Sequence, residues 1–279
     1  MSTSIDQAFI KQYEAEVHAA YQRMGTRLKG TVRVKSGVIG HSVVFQKVGK
    51  GTAGQKTKHG LVPVMNVDHS NVEAFLIDYY AGDWVDKLDE IKTNIDERQV
   101  LANAGAFALG RKVDELIIGA ARSSLPSAQK IAVGGTGMTR AKIQQAIELL
   151  NDADVPDDGQ RFCVVGSHQW EELMAIQQFA SGDFVGETYP WLKGTEARRW
   201  RNTVYIHHSG LPVSGTTRYC LMYHKTAIGW AEGADITVDI TWHGDRAANF
   251  VNHMMSGGAV RIDDTGVVEI ACDDTATIP

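Results

Sequence analysis

Two stretches of the chain place apolar residues at helical spacing, and most of the remainder alternates or runs apolar over strand-like lengths. The longer helical pattern covers residues 94–123, with Leu109, Val113, Leu116, Ile117 and Ala120 on one stripe. Asn94 is expected to cap its amino end. Glu97, three residues on, completes a capping box, and Asp96 and Glu97 put negative charge at the positive end of the dipole. Thirty residues at helical rise span about 45 Å. Ala102, Ala104, Gly105, Ala106, Ala108 and Gly110 keep the first half thin, so that a sheet or a neighbouring chain can come close. The second pattern, residues 4–27, carries Ile5, Phe9, Tyr13, Val17, Tyr21 and Met24, with Ser4 as its cap.

Residues 31–48 alternate and are rich in valine, predicting a strand pair or long hairpin arm. The tip GKGTAGQKTKHG is small, polar and basic and reads as a projecting loop, after which LVPVMNV is expected to return as a strand. Residues 71–92 read as an extended segment followed by a short helix carrying Trp84, Val85 and Leu88. Thr139 is expected to cap a helix over 140–151. RFCVVG reads as a buried strand, and Ser167 as the cap of the next helix. Residues 235–242 alternate, setting Ile236, Val238, Ile240 and Trp242 on one half-buried face. A hairpin turn is expected at Asp264-Thr265-Gly266, and a frayed tail after it. Helices and strands mix without a βαβ repeat, an α+β pattern.

A chain of 279 residues can bury a full core, and its 28 glycines favour strands and extended loops over a helical bundle. The net charge of −5 argues against a dedicated nucleic-acid binder. Charge is unevenly spread. Residues 17–67 contain no acid but nine lysines and arginines, among them Lys47, Lys50, Lys56 and Lys58. Residues 68–97 reverse the sign, with Asp83, Asp86, Asp89, Glu90, Asp96 and Glu97 among their acids. A basic block followed by an acidic block suits head-to-tail contact between copies. Cys163, Cys220 and Cys272 sit in strand-like runs without metal spacing and read as buried thiols in a reducing compartment. The acidic, amphipathic amino terminus does not read as a signal peptide. No apolar run approaches the ~20 residues that span a bilayer, so no membrane partner is expected.

No motif specifies an enzyme. The loop glycines do not fit GxxxxGK[ST], and the GxG of GGTGMT lacks the third glycine of a dinucleotide fingerprint. His207 and His208 are adjacent and would face opposite ways on a strand. His224, His243 and His253 are scattered, so a metal-dependent hydrolase built on His207, His224 and His243 is the weaker alternative. Ser167 lacks the glycines of a nucleophile elbow, and the Asp pairs at 157–158 and 263–264 fall in turns. No catalytic residue, cofactor site or metal site is expected.

The order of segments carries more. ALGRKVDELIIGAA, LLNDADVPDDGQRFCVVGSHQWEELM, FASGDFVGE, SGLP, HKTAIGWA and GGAVRIDDTGVVEIACDD resemble, in order and spacing, successive stretches of tailed-bacteriophage major capsid proteins with the Hong Kong 97-type fold. The resemblance implies an arm (1–36), an extended loop (37–67), a peripheral domain with the spine helix (68–138), an axial domain (139–233) and return strands (234–279). It implies copies forming hexamers and pentamers of an icosahedral shell around double-stranded DNA, contacted non-specifically, in a virion assembled in a bacterial host cytoplasm. A separate scaffolding protein, a portal and a cement protein are the implied partners. Lys47, Lys50, Lys56 and Lys58 on one copy, facing Asp83, Asp86, Asp89, Glu90, Asp96 and Glu97 on the next, are the expected interface. An encapsulin-like compartment packaging protein cargo shares the fold and is the principal alternative.

Overall fold

The computed structural model describes residues 25–88, 97–176, 179 and 198–278. Its elements run β1 (Arg33–Lys35), β2 (Ser42–Val48), β3 (His69–Phe75), β4 (Ile77–Asp86), α1 (Glu97–Arg122), β5 (Lys130–Ile131), α2 (Arg140–Asp152), β6 (Arg161–Val165) and α3 (Ser167–Ala175). They continue with β7 (Arg198–Trp200), β8 (Thr203–His207), β9 (Val213–Ser214), β10 (Thr217–His224), β11 (Ile228–His243), β12 (Ala248–Arg261) and β13 (Val267–Asp273). The α+β expectation holds in this coarse form.

Three sheets organise the chain. One is ordered β1-β11-β12-β4, one β5-β13-β10-β6-β8-β7 with β9 on β10, and the third is the β2-β3 hairpin. The main core joins α1 to the seven-stranded sheet through Val113, Ile117, Ile143, Leu173, Leu221 and Val268. A second core holds the hairpin to the long sheet through Val43, Phe45, Ala74, Leu76, Ala231 and Ile262. The helix stripe is as expected at Leu109, Val113 and Ile117, while Leu116 and Ala120 are half-buried and Ile118 takes a core place. The arm helix expected at 4–27 lies outside the described residues as far as residue 24, and residues 25–27 are not helical; the cap Asn94 and the first-turn acid Asp96 also lie outside them. The last turn of α1 is closed by a cation: Arg261 Nη1 donates to the carbonyls of Ala121 (3.0 Å) and Ser123 (2.5 Å), and Nη2 to that of Ser124 (3.1 Å). These satisfy orphan carbonyls and meet the negative end of the dipole. Thr139 does cap α2, accepting from Lys142 N.

Several expectations are corrected. Residues 31–48 do not form a pair with each other: β1 runs parallel to β11, and β2 pairs with β3. Gly37 and Gly40, both at positive φ, turn the chain between β1 and β2. LVPVMNV is not a strand, because its opposite limb is glycine-rich and Pro63 offers no donor; pairing begins at His69. Trp84 and Val85 lie in β4, not in a short helix. The ladder to β12 sets Trp84 opposite Phe250, with the rings 4.6 Å apart. Ser167 is the first helical residue and Gly166 the cap position. The turn at 263–266 links strands of different sheets, because β13 pairs with β10 and β5 and not with β12. Val238, Ile240 and Trp242 are exposed, and so are Thr237, Asp239 and Thr241 on the opposite face, so neither face of this stretch is packed within the described residues. The tail is tied down by Arg218 and Gln169, both donating to Asp274, and by a contact of the His168 ring with Ala276 O.

Candidate intersubunit surfaces

The extended loop leaves the hairpin where Gly49 N donates to Asp68 O at 2.7 Å. It reverses at a turn closed by Gly60 N on Thr57 O (3.0 Å), with His59 in the left-handed region. Its four lysines divide into two pairs. Lys47 Nζ lies 2.8 Å from Asp263, and Lys50 Nζ 2.5 Å from Asp154, so both engage acids of their own chain. Burial alone would raise the Asp263 carboxyl, but hydrogen bonds from Lys47 and Thr265 outweigh it and hold it below the ordinary value. Lys56 and Lys58, nearer the tip, are exposed.

The acids sit at the far end of the long sheet. Asp83 and Asp86 are exposed on the edge strand β4, accepting from Trp84 N and Leu88 N respectively, both at 2.8 Å. Glu97 is the first residue of α1; Asp89, Glu90 and Asp96 lie outside the described residues. Asp86 pairs with Ala248, whereas Asp263 follows Arg261 at the other end of β12. Thirteen residues of strand separate Ala248 from Arg261, about 43 Å. One copy therefore does not bring its loop lysines and its strand acids together.

The thin half of α1 meets its neighbours closely. A side chain on Gly105 would begin 2.3 Å from the ring of His253 on β12, and one on Gly110 2.7 Å from the backbone at Gly25. Sheet and entering chain thus approach the helix to backbone distance, as the small residues suggested.

The sequence pattern missed a buried junction. Asp114 on α1 accepts from Thr26 Oγ1 (2.6 Å), the backbone N–H groups of Arg27 and Leu28 (3.1 Å each), and His208 Nε2 (3.0 Å). Both Asp114 and His208 are fully buried. The available signal was an acid directly beside Val113 on the apolar stripe. The histidines of the hydrolase alternative lie apart. His207 Nε2 meets Ser167 Oγ at 2.8 Å, His224 contacts Asp158 and Thr226, and His243 packs edge-on against Trp84. Among the described residues no group of three His, Cys, Asp or Glu side chains is placed to hold a metal ion. No helix among them is long and apolar enough to cross a membrane. The three cysteines are free and buried.

No curated protein matches the sequence. Solved structures do match the fold. The capsid of the cyanophage P-SCSP1u aligns with a TM-score of 0.72 at 18% identity, over 98% of this chain and 95% of that one. A Mycobacterium phage Che8 structure gives 0.70 at 17% identity, over 97% and 99%. The capsid of Ralstonia phage GP4 gives 0.70 at 15% identity over the whole of both chains. A family description, phage capsid protein, matches residues 5–274. With that match spanning nearly the whole sequence, the chain belongs to the phage capsid protein family and is a major capsid protein, a subunit of a virus shell.

Proposed function

We propose that this subunit assembles into hexamers and pentamers of an icosahedral shell that encloses double-stranded DNA, with its extended loop reaching the peripheral sheet of a neighbour. The separation of about 43 Å between the loop's anchor and the Asp83–Asp86 end of the same sheet carries the proposal. Exposed charges of opposite sign that do not pair within one copy are free to meet between copies. Lys56 and Lys58 are the donors of that contact, and Asp83 and Asp86, with Asp89, Glu90, Asp96 and Glu97, the acceptors. Lys47 latches the loop's base to its own chain at Asp263, and Lys50 makes a weaker, exposed pair with Asp154. In this scheme residues 1–36 are the arm, 37–67 the loop, 68–138 the peripheral domain, 139–233 the axial domain and 234–279 the return strands. A scaffolding protein made separately, a portal and a cement protein are its partners, in a virion assembled in the host cytoplasm.

Expression of the chain alone and with its phage's assembly genes tests this, read by negative-stain microscopy and by 260 nm absorbance after nuclease treatment. Closed shells with protected nucleic acid are expected. Shells holding only protein cargo would mean an encapsulin-like compartment, and a small species under every condition would overturn the shell reading.

A further inference from the structure

Two apolar surfaces of this chain stand open in ways that match. On the loop, Leu61, Val62, Val64 and Met65 are 96%, 72%, 83% and 56% exposed, extended yet in no strand. On β11, Val238, Ile240 and Trp242 are 47%, 48% and 52% exposed along one face. β1 matches β11 up to Ala231, and Val38 N still donates to Glu232 O at 3.0 Å; among the described residues no strand pairs the outer edge of β11 beyond that point. A long apolar edge with its N–H and C=O groups unpaired is a template for another strand.

We propose that residues 61–65 of one copy add as an antiparallel strand to the β11 edge of a second copy, laying Leu61, Pro63 and Met65 beside Trp242, Ile240 and Val238. The proposal rests on the loop being an intersubunit arm, and it specifies where that arm lands. Its antiparallel sense follows from charge. With Leu61 beside Trp242, Lys56 and Lys58 fall past the tip of the β11-β12 hairpin. There the exposed Asp86 of β4 and Asp245 of the connecting turn supply the opposite sign. The reverse sense would carry the lysines back toward the start of β11, where Glu232 and Asp235 are already engaged by Lys29. Pro63 suits an added outer strand, because its missing donor can face water while Val62 and Val64 bond the edge.

The strand has to come from a second copy. Val48 pairs with His69, next to Lys47, whose ammonium contacts Asp263, and Asp263 N donates to Ala227 O just before β11. Met65 is four residues from His69, so it stays within about 14 Å of that point. Val238 is ten residues along β11 from Ile228, about 33 Å away. No fold of its own loop sets Met65 beside Val238.

The test uses the full chain and a fluorescent peptide of residues 56–67. The peptide is expected to bind saturably, and Ile240→Lys in the chain or Val64→Pro in the peptide is expected to weaken it about tenfold or more. In parallel, a Met65→Cys chain and a Val238→Cys chain are mixed under assembly conditions with a short thiol-to-thiol linker. The native cysteines are buried, so a covalent pair is expected only from the mixture. Circular dichroism and size exclusion confirm that each variant is folded. Absence of peptide binding, binding indifferent to Ile240→Lys, or normal shells without the covalent pair overturns the strand addition and leaves the shell reading standing. A native chain that binds the peptide through Ile240 yet never forms a shell supports the edge and counts against the shell.

Discussion

His208 donates from Nε2 to Asp114 Oδ2 across 3.0 Å, with neither side chain exposed. The backbone N–H of Gly210 donates to His208 Nδ1, which fixes the tautomer. Asp114 thereby joins the spine helix to the strand end at β8 and to the segment at Thr26–Leu28. Asp114→Asn keeps the volume but offers two N–H groups where the carboxylate accepted. It is expected to cost about 3 kcal/mol in urea unfolding, because it leaves buried donors unpaired. A loss under 1 kcal/mol would mean that the junction is not a structural anchor.

The same carboxylate sets a pH dependence. Burial would raise its pKa, but hydrogen bonds from His208, Thr26 and the N–H groups of Leu28 and Arg27 bring it below the ordinary value. A depressed folded-state pKa gives stability that is complete above the unfolded value of about 3.9 and is lost as pH falls through the folded one. The stability gap between the native chain and Asp114→Asn is therefore expected to be flat from about pH 8 to 5 and to narrow below about pH 4. Denaturant titrations at a series of pH values check it, and a gap that widens on acidification would contradict the assignment.

Glycines of α1 separate contact from propensity. At Gly105 a methyl group meets the His253 ring, so Gly105→Ala is expected to lower stability by about 2 kcal/mol despite the helix-propensity gain of about 1 kcal/mol. Nothing lies within 4 Å of the same position on Gly119, so Gly119→Ala is expected to raise stability by roughly 0.5–1 kcal/mol. Opposite shifts in melting temperature are the signature.

Charge reversal tests the loop. Lys56→Glu with Lys58→Glu is expected to slow assembly, followed by light scattering, and to do so more at about 50 mM salt than at about 500 mM. Equal loss at both would remove the electrostatic contact. Lys50→Ala, which breaks an exposed pair with Asp154 inside one copy, is expected to leave assembly unchanged. Deleting residues 51–59 is expected to leave a folded subunit that closes no shells.

Elements whose fate is decided by their own residues were legible in the sequence. The α1 stripe, the Thr139 cap and the buried RFCVV strand fall there, because burial and local hydrogen bonds follow from spacing. Elements decided by distant partners were not. Trp84 joins a strand because β12 offers a ladder, and β1 pairs with a strand almost two hundred residues later. Val238, Ile240 and Trp242 have the alternation of a half-buried face, but among the described residues no other element packs on it, and spacing alone does not show what covers a face. The loop lysines were singled out by charge alone. Composition could not reveal that Lys47 and Lys50 would be held by Asp263 and Asp154, acids that a tally of the loop and its flank does not include.

Two register shifts of β11, between Glu232 and Ala234 and between Ala234 and Thr237, interrupt its ladder to β12 on either side of the Ala234–Ser256 pair. Lys29 braces that place through Glu232 and Asp235. A bulged ladder bends and twists more strongly where its pairing is interrupted. The half of β11 that ends at Trp242 therefore leaves the direction set by the core at Trp230, and the hairpin tip is aimed by the irregularity and by the cation that holds it.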